Sequence, residues 1–405
     1  MEDVFQYIEG HSGMYLDWLI KACNQPSVSA QNRGMIEMKV LVKQFLEELG
    51  ADVEEIETEG YPIIYGEMDA GKTKTLTFYN HYDVQPEDPL DEWVSRPFES
   101  TIRDGRLFAR GSADNKGNLI ARISAIHAYK EIYGGLPVNI KFIFEGEEEV
   151  GSPHLAFFAN EHPDKLQTDG IIWEGGSRDA IDKRPHVGLG VKGICYVELT
   201  CQGAKYDLHS SEAAIIENPA WRLVWALNTI KNDQEKIMID GFYDDIVPLS
   251  ETDKNIIHTM NYNEDKIKEV YGIDGFLKDV TDYKLKERLT AEPTCTICGM
   301  ESGYTGDGSK TVLPHLAKVK LDFRLVPGQS PDKIATLLRK HLDKHRFEDI
   351  TIHETHGMVP FNTDPNHAFV DVVLNSVKEV YNEPPVILRN LAGSSPMSKM
   401  LEGTL

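Results

Sequence analysis

Two residues that could bind a metal lie at the end of an apolar, strand-like stretch. The segment Tyr79-Asn-His-Tyr-Asp-Val-Gln-Pro places His81 and Asp83 two positions apart. Side chains two residues apart in an extended chain point to the same side. One of them could therefore be a metal ligand, although both could equally be loop residues that satisfy local hydrogen bonds.

A cluster of four carboxylates follows a second apolar stretch, in Glu145-Gly-Glu-Glu-Glu-Val-Gly-Ser. Two carboxylates about 4 Å apart repel each other by about 1 kcal/mol in water and about 4 kcal/mol at an effective dielectric of 20. A bound divalent cation removes that repulsion. A solvated run of charge is the usual explanation of such a cluster. Its position after a strand favours a site, because open α/β sheets bind ligands outside the carboxyl ends of their strands.

Two further acids occupy comparable positions. Asp114 lies in a glycine-flanked turn before a helix, where it could also be an ordinary N-cap, and Glu174 ends another strand in Ile171-Ile-Trp-Glu-Gly-Gly. Four segments thus each offer a histidine or a carboxylate. Nitrogen and oxygen donors of this kind suit zinc, manganese or cobalt. The pattern predicts a metal hydrolase.

The elements that must position these residues alternate between helix and strand. Apolar spacing predicts helices over 13–24, 32–50 and 116–133, and strands over 74–80, 137–144 and 169–174. Such alternation predicts an α/β sheet. After about residue 188 the pattern changes to a second, α+β unit, with strands over 193–201, 294–300, 316–325 and 350–356 and helices over 218–231 and 331–346. Cys295 and Cys298 form a CxxC in one of these strand-like segments, which favours a strand over a zinc knuckle.

Composition excludes several classes of partner. The chain has 405 residues, 42 Lys and Arg against 65 Asp and Glu, and a formal net charge of −23. That charge repels nucleic acid and anionic membranes, and the length predicts at least two domains. Five cysteines, an acidic N-terminus and the absence of a long apolar run predict a cytoplasmic protein without a disulfide framework.

Read together, these segments resemble the M20 family of dinuclear zinc peptidases and deacylases. The resemblance is to the dipeptidase and carnosinase-like branch above all, and also to the acetylornithine deacetylase and succinyl-diaminopimelate desuccinylase group. It covers nearly the whole chain and rests on Asn80-His-Tyr-Asp-Val-Gln-Pro, Gly105-Arg-Leu-Phe-Ala-Arg-Gly-Ser-Ala-Asp-Asn-Lys-Gly, the 145–152 cluster, Asp207-Leu-His-Ser, Gly303-Tyr-Thr-Gly-Asp-Gly-Ser-Lys-Thr-Val-Leu-Pro and Asp322-Phe-Arg-Leu-Val-Pro-Gly.

The resemblance implies an α/β fold with two domains. The catalytic domain has a central mixed sheet flanked by helices and is built from residues 1–188 and 359–405. The inserted domain, residues 189–358, is an α+β, ferredoxin-like lid through which the protein forms a homodimer.

The resemblance also implies a role for each acid at the metal site. His81 and Glu174 bind one Zn²⁺, Asp114 bridges two Zn²⁺, and Glu149 binds the second. Mn²⁺ or Co²⁺ could replace zinc. Glu148 is the general base that takes a proton from the attacking water, and Asp83 orients the ligands around it. The 114–115 peptide bond is expected to be cis.

Four residues are implied to bind substrate. His209 reaches into the partner subunit's site and donates to the developing oxyanion, while Thr311 and Ser394 hold the substrate. Arg324 is implied to bind the free carboxylate of a peptide with its planar fork. Its alternation with Lys320 and Asp322 also suits simple solvation of an edge strand.

The chain departs from the family pattern twice. Glu174 stands where the carnosinase-like branch more commonly has Asp. The family continues beyond the position of Ser394 to a histidine that completes the second metal site, and this sequence stops at Leu405 without it. We therefore expect either an incomplete C-terminus or a lost ligand, and a weakly bound second metal.

The expected activity is hydrolysis of the amide bond of dipeptides or small peptides. One alternative is an N-acyl amino acid deacylase of the same fold, which shares the metal centre and differs in its pocket. An alternative of another class is a metal-poor, dimeric binding pseudoenzyme.

Overall fold

The computed structural model describes residues 1–178 and 183–401. The chain divides into two compact units, Met1–Gly176 with Lys399–Leu405, and Ser177–Ser398. This division differs from the boundaries expected at 188 and 359, and the extent of a catalytic and a lid domain stays a prediction. No helix in the described part of the chain has the length and apolar character needed to cross a bilayer.

The first unit contains five helices and seven strands among its described residues. The helices are α1 (Glu2–Gly10), α2 (Ser12–Asn24), α3 (Met35–Leu49), α4 (Lys116–Tyr133) and α5 (Leu155–Glu161). The strands are β1 (Asp52–Ile56), β2 (Ile63–Met68), β3 (Thr75–His81), β4 (Thr101–Arg103), β5 (Arg106–Phe108), β6 (Asn139–Glu145) and β7 (Gly170–Trp173).

The sheet of this unit brings three strand ends together. Its order is β1-β2-β6-β3-β7, with β3 parallel to both neighbours and β2 antiparallel to β6. His81 lies opposite Glu145, and Tyr79 lies opposite Trp173. The carboxyl ends of β3, β6 and β7 therefore meet at one edge, as the sequence predicted.

Local sequence explains why the helices lie against this sheet. Helix α3 buries Met38, Val42, Phe45 and Leu49 on one face and ends at Gly50, whose φ of +86° suits glycine. Helix α4 begins in the turn that contains Asp114. Gly117 permits this turn, because a Cβ there would lie only 2.0 Å from the carbonyl oxygen of Ser112.

The second unit contains most of the remaining elements. Its helices are α6 (Pro219–Ile230), α7 (Glu251–Thr259), α8 (Glu264–Tyr271), α9 (Asp282–Ala291), α10 (Pro331–Lys344) and α11 (Ala368–Tyr381). Its strands are β8 (His186–Gly188), β9 (Gly190–Val191), β10 (Gly193–Gln202), β11 (Leu208–His209), β12 (Thr294–Ser302), β13 (Val312–Leu313), β14 (Leu316–Leu325), β15 (Ile350–Met358), β16 (Phe361–Asn362) and β17 (Val386–Leu388). A final helix, α12 (Met397–Leu401), spans the boundary at Ser398.

An antiparallel sheet of order β12-β14-β10-β15 organises the second unit. Alternate residues of β14, including Val319, Leu321 and Phe323, are buried against α6 and α10. The CxxC lies in β12, with Cys295 buried and Cys298 exposed, so the strand prediction is confirmed. The protein is thus a mixed α/β fold, as expected, and the ferredoxin-like lid stays a prediction.

Candidate metal centre

Three of the predicted ligands come together at the carboxyl edge of the first sheet. His81 ends β3, Asp114 precedes α4, and Glu149 lies in a single 3-10 turn, Glu148–Val150, that follows β6. One potential ligand atom from each lies within 4.8 Å of the other two. His81 Nε2 and Asp114 Oδ1 are 3.0 Å apart. The Asp114–Asn115 peptide bond is cis, as the resemblance implied.

The surroundings of His81 fix which ring nitrogen faces the cluster. Its Nδ1 lies 3.1 Å from the carbonyl oxygen of Asp83 and 3.3 Å from Asp83 Oδ1, so Nδ1 donates a proton there. Nε2 is left to face Asp114. Burial alone lowers the pKa of His81, but the hydrogen bonds with Asp114 and Asp83 outweigh it and raise that pKa well above its usual value.

Asp83 links His81 to the turn that contains the acids. The Asp83 carboxylate is fully buried. Its Oδ2 accepts from Ser29 Oγ at 2.7 Å and from the backbone N–H of Glu149 at 3.1 Å. Its Oδ1 accepts from the backbone N–H of Glu148 at 3.3 Å. One carboxylate thus holds the ring of His81 and the 148–149 backbone in a fixed relation.

The acids of the cluster lie in an environment that disfavours their negative charge. Burial raises the pKa of Glu148 to about 8, against the opposing charge of His81 and with support from Glu174, Glu145 and Glu149. Burial also raises the pKa values of Glu149 and Glu174. Such a group of half-buried carboxylates favours a positive ion among them.

Glu174 follows β7 and lies outside the group of three. Its backbone has a φ of +44°, and its Oε1 accepts from Trp173 Nε1 at 3.1 Å. The charge of His81 lowers the pKa of the Glu174 carboxyl group, and the charge of Asp114 raises it. The structure therefore places Glu174 within electrostatic range of the cluster.

Several residues that support this centre were not predicted from the sequence. Gln85 donates from Nε2 to Glu149 Oε2 at 2.9 Å, and it occurs in a motif that was already quoted. Arg122 donates to the backbone of Glu174 and to Asn80. The available signal was a charged side chain between the buried positions Leu119 and Ile126 of α4. Ser29 gave no signal at all.

The four predicted substrate residues all belong to the second unit and form two pairs. His209 and Thr311 are exposed, with Thr311 Oγ1 3.3 Å from His209 Nε2. Arg324 donates from Nη1 to Ser394 Oγ at 3.4 Å and pairs with Asp322 at 3.0 Å. The metal cluster belongs to the first unit, and the substrate roles stay predictions.

Comparison with known proteins places this chain in a family. A model of peptidase family M20/M25/M40 matches residues 77–404, a range that includes every predicted site residue. The chain belongs to this family. It is an M20 metallopeptidase and therefore a metal-dependent hydrolase.

This M20 peptidase is similar to characterised relatives over almost its full length. It is 30% identical over 435 residues to the Cys-Gly metallodipeptidase dug1 of Schizosaccharomyces pombe, covering 100% of this chain and 89% of the relative. It matches the crystal structure of the M20 family metallo-carboxypeptidase Sso-CP2 from Sulfolobus solfataricus with a TM-score of 0.90 and 40% identity, covering 96% of this chain and 88% of that one.

Human carnosine dipeptidase 1 has a similar structure as well. Its TM-score with the M20 peptidase is 0.82 at 28% identity, covering 99% of this chain and 89% of that chain. The predicted resemblance to the dipeptidase and carnosinase-like branch is therefore confirmed.

Proposed function

We propose that this M20 peptidase hydrolyses the peptide bond of dipeptides or small peptides with two Zn²⁺ ions. His81 and Glu174 would hold the first ion, Asp114 would be shared, and Glu149 would hold the second. The observation that carries the proposal is the grouping of His81, Asp114 and Glu149 within 4.8 Å beside a half-buried Glu148.

The donor set fits a divalent ion of borderline hardness. One imidazole nitrogen and several carboxylates are the ligands that catalytic zinc sites use, and manganese and cobalt accept the same donors. The Asp83 oxygens fix the ring of His81 through Nδ1, as carboxylates commonly do for metal-binding histidines. The raised pKa values of Glu149 and Glu174 support the need for positive charge at this position.

Glu148 is proposed as the general base. When bound, the metal ions polarise the substrate carbonyl and acidify a water molecule. Glu148 would take the proton of that water at a carboxylate oxygen and later give it to the departing amine. Burial raises the pKa of Glu148 to about 8 without metal, and the positive charge of bound ions would lower it, so that the carboxylate would be ionised and able to accept a proton.

The second unit is proposed to bind the substrate. Arg324 can offer two parallel N–H groups to the free carboxylate of a peptide, and its bond to Ser394 Oγ keeps both residues at one position. His209 and Thr311 are proposed to face the scissile carbonyl, with His209 supplied by the partner subunit of a dimer.

A homodimer through the second unit is supported by apolar surface on that unit. Trp221 and Trp225 of α6 are 57% and 51% exposed, and Ile297 and Met300 of the edge strand β12 are 51% and 52% exposed. Exposed apolar patches and open sheet edges commonly mark association surfaces. Sedimentation velocity should therefore show a dimer, and W225E should shift it toward the monomer.

A cytoplasmic location is proposed on the chemistry of the cysteines. None of the five cysteines, all of which lie in the described residues, forms a disulfide, and four of them are buried. The absence of disulfides is typical of proteins in reducing compartments.

The relatives favour peptides over N-acyl amino acids as substrates. The Schizosaccharomyces pombe relative is named for Cys-Gly dipeptides, whereas the Sulfolobus solfataricus structure is of a metallo-carboxypeptidase. Comparing kcat/KM for unmodified dipeptides, longer peptides and N-acetyl or N-succinyl amino acids decides among these. Activity confined to the N-acyl substrates would contradict a peptidase and establish the deacylase alternative.

Metal content and one variant test the centre itself. After zinc loading and dialysis, plasma mass spectrometry should find bound zinc on the parent. The variant E148Q should keep that zinc and lose activity. A parent protein that retains no zinc but still binds peptides would support the pseudoenzyme alternative instead.

A further inference from the structure

Arg122 joins two strand ends beneath the metal centre. It lies in the second turn of α4, the helix that follows Asp114, and its guanidinium donates to three acceptors. Nη1 donates to the carbonyl oxygen of Tyr79 and to Asn80 Oδ1, both near the end of β3. Nη2 donates to the carbonyl oxygen of Glu174, just past the end of β7.

These contacts fix the backbone of Glu174 from both sides. The Glu174 N–H donates to the carbonyl oxygen of Tyr79 at 2.9 Å. The Glu174 carbonyl accepts from Arg122 and, at 3.3 Å, from Asn80 Nδ2. Its φ of +44° is uncommon for a residue other than glycine. The direction in which the Glu174 side chain leaves the backbone therefore depends on this small network.

Asn80 extends the same network to the segment that contains Asp114. Its amide Nδ2 donates to Asn115 Oδ1, while its Oδ1 accepts from Arg122. Asn80 is fully buried and Asn115 nearly so. Among the described contacts, Arg122 thus binds Glu174 directly and is linked to the turn before α4 through Asn80.

We propose that Arg122 is a positioning residue that aims Glu174 at the first metal. The inference rests on the proposed function, since it takes Glu174 as a ligand. Among the described contacts, Arg122 makes no hydrogen bond or ion pair with the side chains of His81, Asp114, Glu148 or Glu149. It acts on Glu174 through the hydrogen bond to the Glu174 carbonyl oxygen, and its charge also acts on the Glu174 carboxyl group, whose pKa burial raises and Arg122 lowers.

The geometry calls for arginine in particular. A planar guanidinium has five donors in a fixed fork, so it can contact both strand ends at once. The guanidinium carbon Cζ of Arg122 lies 5.4 Å from the centre of the Phe78 ring, so this ring on β3 supports the plane of the guanidinium. A lysine ammonium keeps the charge but is a point donor on a flexible stem, so R122K should restore only part of the function.

Zinc affinity is the appropriate readout, measured by competition with a chelating indicator. Changes in groups that orient metal ligands commonly lower metal affinity by about 10–100-fold. We expect R122Q to weaken one of the two Zn²⁺ sites by that factor and R122K to fall between R122Q and the parent. In R122Q, kcat should recover at high free zinc because Glu148 is unaltered.

Lys141 provides a matched control in the same unit. Its ammonium also donates to three backbone carbonyls, those of Asp164, Lys165 and Gln167, at 3.1–3.2 Å. Lys141 lies near the start of β6, whereas the metal cluster lies at the end of the strands. Both K141M and R122Q should lower the urea midpoint of the metal-free protein, but K141M should leave zinc affinity within about twofold of the parent.

A double-mutant cycle with E174Q tests the route of the effect. If Arg122 acts through Glu174, the double variant R122Q/E174Q should bind zinc within about twofold of E174Q alone. Zinc affinity of R122Q equal to the parent, beside a deficient E174Q, would overturn the inference and leave the proposed function intact. An E174Q with parental affinity would overturn both. If R122Q does not fold, R122K and its cycle with E174Q give the same decision.

Discussion

Replacing Asp83 with asparagine removes one negative charge and one acceptor from the most connected side chain of the metal centre. The Asp83 carboxylate is fully buried and meets Ser29 Oγ at 2.7 Å and two backbone N–H groups at 3.1 and 3.3 Å. Its Oδ1 also lies 3.3 Å from His81 Nδ1. Both oxygens of the carboxylate are therefore in use.

The expected loss of stability follows from the number of hydrogen bonds that the D83N side chain cannot accept. An asparagine side chain has one carbonyl oxygen and one NH₂ group. The two donors that meet one of the carboxylate oxygens of Asp83 would therefore face the NH₂ group instead. Hydrogen bonds to a charged group contribute about 1.5–3 kcal/mol each, so the metal-free protein should lose about 3–6 kcal/mol of unfolding free energy. Because Asp83 also orients His81, zinc affinity should fall about 10–100-fold, which is about 1.4–2.8 kcal/mol.

Urea unfolding in the presence of a chelator measures the loss of unfolding free energy, and competition with a chelating indicator measures the loss of zinc affinity. D253N is the matched control, since Asp253 is a buried carboxylate of the second unit that bonds to Ser250 and Arg389. It should lower stability and leave zinc affinity unchanged. A D83N protein with parental stability and parental zinc affinity would refute the role assigned to Asp83.

Three further predictions concern protons and catalysis. Zinc binding should release protons, because the pKa values of His81 and Glu148 are raised without metal. Zinc affinity should therefore rise with pH, by up to tenfold per pH unit for each proton displaced. Binding heats in two buffers measure the number of protons released, and equal zinc affinity at pH 6 and pH 8 would contradict the prediction. E148Q should lower kcat by about 10²–10⁴-fold with zinc content unchanged, and a smaller loss would remove Glu148 as the base. Burial raises the pKa of Glu145 to about 7, so the contribution of Glu145 to the stability of the metal-free protein is fully present below the ordinary carboxyl pKa, and about 3 kcal/mol of it is lost as the pH rises through 7. E145Q should make the decline in unfolding free energy between pH 5 and pH 8 smaller, while Glu148 keeps its own share of it. A decline in E145Q equal to that of the parent would exclude Glu145 as one of its sources.

Local periodicity was sufficient to predict most elements of the fold. The apolar spacing of α3 and α4 and the ends of β3, β6 and β7 all follow from neighbouring residues, and the structure has helices and strands at these positions. Position after a strand also indicated His81 and the 145–149 acids before any resemblance was used. The reason is that parallel strands bring their carboxyl ends to one edge whatever their sequences are.

The supporting contacts could not be predicted in the same way. Ser29 and Asp83 are 54 residues apart, and Arg122 and Glu174 are 52 residues apart. Such pairs depend on how helices dock on the sheet, which no local pattern encodes. The pair Arg324 and Ser394 shows the same limit, because each residue was predicted singly and their hydrogen bond was not.

The parallel pairing of β3 with β6 and β7 has a consequence for the order of folding. Asn80 and Glu174 are 94 residues apart, and Gln85 and Glu149 are 64 residues apart, yet both pairs are in contact at the centre. Closing loops of this length is slow because chain entropy is lost before the contacts form. We therefore expect the ligands to assemble only after the sheet has paired, and zinc not to nucleate folding of this unit. Added zinc should slow unfolding and leave the refolding rate unchanged.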